Sequence, residues 1–265
     1  GVRLVGSEMC IRDSWQYDPV IDSWTQKEDF GGEARYSAVG FVIGSYGFIG
    51  LGASSSTYDL KDFWQYNPST DTWIQKADFG GKGREDALAF SIGNKGYSGT
   101  GYDSDFWEYD PLSDSWTQKA DFGGTARCGA VAFVIKNRGY VGTGEWKEND
   151  FWEYNPASNV WSEKAEFRGI ERIGAVAFSV GGKGYIGTGE DYNGAYLNDF
   201  WEYTPDVALA CKTPSSQSNS SITPVSAVLK WESVATALDY EIEYAIADGN
   251  GTPITKISSY NTIEI

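Results

Sequence analysis

A phrase of about twenty residues recurs along this chain and constrains its fold more than any other feature. The phrase reads DFWEYDPLSDSWTQKADFGG at residues 105–124, with close copies at 62–81 and 150–169. A more divergent copy lies at 13–32 and a shortened copy at 199–206. The first tryptophan of each phrase stands at positions 15, 64, 107, 152 and 201, so the period is 43–49 residues. Self-similarity with a period near this length is typical of propellers and solenoids.

A second passage recurs between the phrases. It reads RCGAVAFVIKNRGYVGTG at residues 127–144 and has counterparts at 35–52, 84–101 and 172–189. Each copy holds two apolar stretches joined by a short turn that usually contains glycine, which is the pattern of a β-hairpin. We name the two predicted strands a and b.

The phrase itself predicts two further strands, c and d. In DFWEYDP the pleat places Trp107 and Tyr109 on one side of strand c and Phe106 on the other, so both faces are apolar. A turn at Pro111 then leads into SWTQKA as strand d, whose polar residues suit a sheet edge. Four antiparallel strands per period predict the blade of a β-propeller.

Each period resembles a kelch repeat. The resemblance rests on an arginine before strand a, a tyrosine before paired glycines, a second tyrosine and a later tryptophan, which are Arg84, Tyr97, Tyr109 and Trp116 in one period. The chain departs from the family pattern because it has Gly-x-Gly where the family has two adjacent glycines. The resemblance covers residues 13–205 and implies an all-β fold, a kelch-type propeller arc of about four repeats in an open ring. It specifies a fold and no activity.

Both flanking segments predict that the sequence is a fragment. Residues 1–12 are predicted to be non-native, because GSEMCIRDS resembles a translated sequencing adapter. Residues 206–265 hold a linker and the alternating stretch SAVLKWESVATALDYEIEY, which is similar to strands B and C of fibronectin type III domains. That similarity implies a truncated, partial β-sandwich.

Composition excludes several classes of function. A net charge of −16 disfavours nucleic acid as a partner, and no apolar run is long enough for membrane insertion. Histidine is absent, which removes the most common general base and metal ligand. The three cysteines, at positions 10, 128 and 211, are too far apart in sequence for a disulfide framework or a zinc motif. We therefore expect no metal and no cofactor.

The repeated aromatic and arginine positions are interpreted as structural. Large aromatic side chains on both faces of strand c suit packing between blades. The arginines are expected to bind carbonyls or acids of a neighbouring blade, the alternative being a ring of arginines at the channel mouth. These positions are Trp64, Trp107, Trp152, Trp201, Arg35, Arg84, Arg127 and Arg172.

The candidate binding residues lie in the loops between strands b and c. In a four-stranded meander these loops emerge on the same face as the d–a connections, and they vary in length where the other turns do not. Each b–c loop pairs an aromatic residue with an acid: Tyr58 with Asp59, Tyr102 with Asp103, Trp146 with Glu145, and Tyr192 with Asp191. The d–a connections add acids at Asp29, Asp78, Asp121 and Glu166. Such a face suits a protein, peptide or glycan ligand.

Two classes of function remain open. The first is a non-catalytic recognition module of a secreted or cell-surface protein, with no catalytic residues. The second is a carbohydrate-active enzyme, because the kelch resemblance also covers copper galactose oxidases and sialic-acid mutarotases. The copper site needs histidine, which this sequence lacks. A mutarotase-like or glycosidase-like site could work with carboxylates and arginine alone, but no such pair is distinct from the repeat.

Overall fold

The computed structural model describes residues 12–145 and 148–205 in full, together with the backbone of six short strands outside these ranges. Contacts divide the chain into two compact units, Gly1–Pro205 and Asp206–Ile265. All regular secondary structure in the described part is β-strand. None of the described segments forms a helix that could cross a membrane.

The first unit consists of five antiparallel sheets in chain order. A three-stranded sheet at the N-terminal end, here called the N-terminal sheet, comprises β1 (Val2–Arg3), β2 (Ser14–Asp18) and β3 (Ser23–Lys27). Blade 1 comprises β4 (Val39–Ile43), β5 (Tyr46–Gly50), β6 (Phe63–Asn67) and β7 (Thr72–Lys76). Blade 2 comprises β8 (Ala87–Ile92), β9 (Lys95–Thr100), β10 (Phe106–Asp110) and β11 (Ser115–Gln118).

Two more blades complete this unit. Blade 3 comprises β12 (Val131–Ile135), β13 (Arg138–Gly142), β14 (Phe151–Asn155) and β15 (Val160–Lys164). Blade 4 comprises β16 (Val176–Val180), β17 (Lys183–Gly187) and β18 (Phe200–Tyr203). The prediction of an all-β, four-bladed antiparallel propeller arrangement is therefore confirmed.

The turns explain why each blade is a meander. The a–b hairpin of blade 3 pairs Ile135 with Arg138 across the two residues Lys136 and Asn137. Both have positive φ, 47° and 62°, as a type I′ turn requires, and this turn matches the twist of the strands. The c–d turns instead place an aspartate or asparagine in the left-handed region, as at Asp114 with φ 48°.

The core lies between the faces of successive blades. Phe106 of blade 2 packs against Tyr154 of blade 3, with ring centroids 4.9 Å apart. Tyr109, on the opposite face, packs against Phe63 of blade 1 at the same distance. Both rings are fully buried. Strand c therefore uses both of its apolar faces, which is why the phrase around it varies so little.

The phenylalanine of strand a joins each blade to the next. Phe41, Phe90 and Phe133 lie against the glycine near the start of the next blade's strand b, which is Gly96, Gly139 and Gly184 respectively. A Cβ atom on these glycines would lie only 2.2–2.4 Å from the ring. Glycine is required there because no side chain fits between the ring and the strand.

The second unit is described through its strand backbone. One sheet has the order β19 (Ser218–Ser220), β20 (Val228–Lys230), β23 (Thr262–Glu264), and the other pairs β21 (Tyr240–Tyr244) with β22 (Ile254–Ser258). All these pairings are antiparallel. In the segment predicted to be non-native, residues 4–11 lie outside the described part.

Candidate ligand-binding face

A buried arginine anchors the loops of every blade. In blade 3, Nη2 of Arg127 donates to Asp150 Oδ2 at 2.9 Å, Nη1 contacts Oδ1 of the same carboxylate, and Nε donates to the Thr125 carbonyl at 3.0 Å. The guanidinium also lies 5.0 Å from the centroid of the Phe122 ring. Arg35, Arg84 and Arg172 repeat the carboxylate pair with Asp62, Asp105 and Asp199.

The partners of these arginines differ from the expectation. Asp150 and Thr143, whose carbonyl accepts from Arg127 at 3.3 Å, belong to the blade that Arg127 itself opens. Phe122 and Thr125 come from the connection that follows the preceding blade. The reason is geometric, since the start of strand a, the end of strand b and the start of strand c meet at one corner of the blade. The arginines hold that corner, and their side chains are buried there.

The same contacts shift the ionisation of the anchoring carboxylates. Burial alone would raise the pKa of Asp150, but hydrogen bonds from Arg127 and Trp152 together with the Arg127 charge outweigh it and hold the pKa below its usual range. Asp62 and Asp105 have lowered pKa values for the same reasons. In blade 4 the hydrogen bond from Arg172 lowers the pKa of Asp199 to about 2. These carboxylates are therefore ionised at neutral pH and serve the scaffold.

The b–c loops and the d–a connections lie on one face. In blades 1 to 3, a phenylalanine shortly after strand d donates its backbone N–H to a carbonyl oxygen of the b–c loop in the same blade. Phe79 donates to Lys61 at 2.8 Å, and Phe122 donates to Ser104 at 2.7 Å. Lys61 Nζ also lies 3.8 Å from Asp78 Oδ2. The acids of the d–a connections thus stand beside the b–c loops. We call this common surface the loop face.

A cavity of about 450 Å³ opens on the loop face. Its polar lining includes Asp86, Glu145, Glu190 and the thiol-bearing Cys128, with Tyr196 at its edge. These residues come from blades 2, 3 and 4. The cavity is therefore built by inner loop ends of several blades and not by one long loop.

A second cavity of about 320 Å³ shares part of that lining. Glu145 and Glu190 border both cavities, and the second adds Glu171, Asp191 and Tyr192. Together the two cavities present five carboxylates: Asp86, Glu145, Glu171, Glu190 and Asp191. Among the described residues, the one arginine in their lining is Arg172, which is paired with Asp199. This part of the loop face is accordingly acidic.

The structure brings together some of the predicted binding residues. Glu145, Asp191 and Tyr192 border the second cavity. A hydrogen bond with Cys128 raises the pKa of Tyr102, which places this tyrosine beside the first cavity. The pKa of Cys128 is raised to about 12, chiefly by burial and then by a hydrogen bond to Glu145. Tyr102, Cys128 and Glu145 therefore form one contact group.

Other predicted residues lie elsewhere or have structural partners. Tyr58 is exposed, and neither it nor Asp59 borders the two cavities. Asp103 lies 3.7 Å from Arg84 Nη2. The Asp191 carboxylate accepts from the backbone amides of Asn193 and Ala195, both at 2.8 Å, and so shapes its own loop. Trp146 lies outside the described residues.

Three acids of the cavities were missed by the sequence analysis. They are Asp86, Glu171 and Glu190. Two of these acids could have been recognised by aligning the repeats position by position. Glu190 follows Gly-Thr-Gly as Glu145 does, and Asp86 stands two residues after the blade arginine, where Ser37, Gly129 and Gly174 also have positive φ. Comparing equivalent positions between repeats, and not only loop contents, would have found them.

Chelation of a metal ion is not indicated by this geometry. No group of three or more histidine, cysteine, aspartate or glutamate residues within residues 12–145 and 148–205 is arranged to hold one. The carboxylates are spread around two openings instead of converging on a point. Such spacing suits several separate contacts with an extended ligand.

Comparison with known proteins supports the fold. The chain is similar to a solved kelch-type propeller, reported as "Structure of YjhT", at 18% identity and a TM-score of 0.54, with 74% of this chain and 72% of that chain covered. No protein-family profile matches the sequence, and no curated protein matches it. At this level of identity the likeness shows the β-propeller fold alone.

Proposed function

We propose that this chain is a kelch-type recognition module of a secreted or cell-surface protein, and that its loop face binds a basic segment of another protein. The observation that carries the proposal is the pair of adjoining cavities that share Glu145 and Glu190. Carboxylates that border an opening and are not used by the scaffold are suited to accept hydrogen bonds from lysine or arginine.

Two further observations support a cationic ligand. The whole chain carries a net charge of −16, which favours encounter with a basic partner and disfavours an acidic one. Exposed tyrosines stand beside the acids at Tyr102, Tyr192 and Tyr196. An aromatic face next to a carboxylate can bind a lysine or arginine head group through cation–π contact as well as charge.

The second unit fits the same picture as a spacer. We interpret residues 206–265 as part of a fibronectin type III-like sandwich. The strand order supports this, because the first two strands and the last pair in one sheet while the third and fourth form another. A division of consecutive strands between two antiparallel sheets is typical of such sandwiches.

The test uses labelled lysine- and arginine-rich peptides of about eight residues, with glutamate-rich peptides of equal length as the negative probe. Fluorescence anisotropy should show binding of the basic peptides that weakens as salt is added. The double variant Glu145→Gln/Glu190→Gln should weaken binding by roughly 5- to 30-fold, since each exposed pair contributes up to about 1 kcal/mol. Glu163→Gln, an exposed acid on β15, is the matched control.

Two results would overturn the proposal. Equal binding by the double variant and the wild type would remove the cavities from recognition. A glycan-array signal that depends on the loop tyrosines, without peptide binding, would identify a sugar ligand instead. In either case the wild-type and variant proteins must show the same thermal midpoint, so that a loss of folding is not read as a loss of binding.

The carbohydrate-active alternative has one supporting observation. Burial, together with the nearby charges of Asp86 and Asp59, raises the pKa of Glu85. A carboxylic acid with a raised pKa is the kind of group that serves as a general acid. Turnover of a sugar in a substrate panel that is abolished by Glu85→Gln would favour this alternative over a recognition module.

A further inference from the structure

The loop that joins β17 to β18 in blade 4 is held together by one carboxylate. Oδ1 of Asp191 accepts from the backbone amides of Asn193 and Ala195, both at 2.8 Å. The Gly194 amide donates to the Asp191 carbonyl at 3.1 Å, and the Asp191 amide donates to the Ala195 carbonyl at 2.9 Å. We call residues 191–195 the acid-capped turn. Because Asp191 borders the second cavity, the shape of this turn sets part of that cavity's wall.

The turn contains an asparagine that a glycine follows. Asn193 and Gly194 are both exposed to solvent. Within residues 12–145 and 148–205, Asn193 is the one asparagine in such a pair, and a second Asn-Gly pair, at 250–251, lies outside these ranges. The side-chain carbonyl carbon of an asparagine can be attacked by the backbone nitrogen of the next residue. Glycine has no Cβ atom to hinder that approach.

The conformation of Gly194 leaves its surroundings open. Its φ is 80°, in the left-handed region. A Cβ atom at this position would meet only the Glu190 carboxylate among the described residues, at 3.5 Å. The hydrogen bond from its amide, at 3.1 Å, is longer than the two that the Asp191 carboxylate accepts. Hydrogen bonds of exposed loops open at small free-energy cost, so the Gly194 nitrogen is available for attack.

We propose that Asn193 is a site of non-enzymatic modification, at which the chain converts this asparagine to isoaspartate or aspartate and so opens the acid-capped turn. The Gly194 nitrogen gives its proton to water and forms a bond to Asn193 Cγ. The Cγ–Nδ2 bond breaks, and Nδ2 takes a proton from water and leaves as ammonia. A cyclic imide remains. Water then adds to one of its two carbonyls, giving aspartate by cleavage at Cγ and isoaspartate by cleavage at the main-chain carbonyl.

Either product weakens the turn. Nδ2 of Asn193 lies 3.5 Å from Asp191 Oδ2, so a carboxylate in its place sets two negative charges side by side. Asp191 is ionised at neutral pH, because the hydrogen bond from the Ala195 amide lowers its pKa. In isoaspartate the main chain also runs through Cγ and is one carbon longer, which separates the two amides that Asp191 Oδ1 joins. The second cavity therefore changes shape, whichever ligand the loop face binds.

The test follows conversion in the intact chain at mildly alkaline pH by peptide mapping with mass spectrometry. Asn94 and Asn137 are the internal controls, since both are exposed in turns but precede lysine and arginine. Asn193 should convert roughly tenfold or more faster than either, because glycine leaves the attacking nitrogen unhindered. An isoaspartate methyltransferase should label the product. Asn193→Gln should stay unconverted over the same interval, because glutamine must close a larger ring.

Hydrogen exchange then tests whether the turn opens. The Ala195 amide should exchange faster in the converted chain than in the fresh chain, whereas the amides of β17 should be unchanged, which distinguishes local opening from unfolding. Conversion of Asn193 in the urea-unfolded chain but not in the folded chain would overturn the proposal, because the turn would then protect the asparagine. Conversion without faster exchange at Ala195 would also overturn it, since the turn would have kept its hydrogen bonds.

Discussion

Arg127 and Asp150 form a bidentate ion pair at the corner where strands a, b and c of blade 3 meet. The Arg127 side chain is fully buried, and its Nη2 lies 2.9 Å from Asp150 Oδ2. Trp152 Nε1 donates to the same oxygen at 2.7 Å. One carboxylate thus joins the first strand of the blade to the third, across 23 residues of sequence.

Removing the charge of this carboxylate is expected to destabilise the fold strongly. Asp150→Asn leaves the buried Arg127 guanidinium without a counter-charge, which should lower the free energy of unfolding by about 3–5 kcal/mol. Asp199→Asn is the matched variant in blade 4, where the carboxylate is more exposed and the loss should be smaller. Urea unfolding of both variants measures the difference, and equal losses would contradict the role of burial.

Stability should fall in acid because of the four anchoring carboxylates. Their pKa values are lowered in the folded chain, to about 2 for Asp199. The pKa of an aspartate in an unfolded chain is about 4. The stabilisation is therefore present above the unfolded pKa and is lost as the pH falls through the folded pKa. Unfolding midpoints measured between pH 7 and pH 2 should decline mainly below about pH 4. A flat profile in that interval would contradict this assignment.

The strand c tryptophan is expected to act in the scaffold and not in ligand binding. Trp152 is half-buried and packs edge-on against Phe122, over Gly123. Trp152→Ala should cost about 3–5 kcal/mol of stability, as loss of a large packed aromatic does. Trp24, which is exposed on the N-terminal sheet, provides the comparison, and Trp24→Ala should cost much less. Thermal unfolding followed by circular dichroism distinguishes the two.

The thiol of Cys128 is expected to be unreactive in the folded chain. It is buried, and its pKa is raised to about 12, first by burial and then by the hydrogen bond to Glu145. Alkylation at pH 8 should be on the order of a thousandfold slower than in the unfolded chain, because the thiolate is the reacting form. The measurement requires Cys10→Ser and Cys211→Ser so that one thiol remains.

A second variant links this thiol to the candidate site. In the same background, Glu145→Gln removes one cause of the raised pKa and should speed alkylation of Cys128. Glu163→Gln should leave the rate unchanged, since that residue lies on β15, away from the cavities. An unchanged rate in the Glu145 variant would show that Glu145 does not contact the thiol in solution.

The blade architecture could be predicted from the sequence because its causes are local. The alternation around Trp107, the turn residues at Pro111 and Asp114 and the recurrence of Gly-x-Gly each act over a few residues, and their repetition fixed four strands per period. The sequence did not predict that the phenylalanine of strand a packs against a glycine of the next blade's strand b. This packing depends on a glycine in a different repeat, and one period read alone contains no sign of that pairing.

The sequence by itself determined the strands, the repeat and the face on which the variable loops emerge, since strand direction reverses at every turn. Tertiary structure decided which loop residues meet. It placed Glu145 beside Glu190, from blades 3 and 4, and left Tyr58 outside both cavities. It also gave Asp103 and Asp191 structural partners. The physical reason is that strand formation follows from neighbouring residues, whereas a cavity depends on where packing sets whole blades side by side.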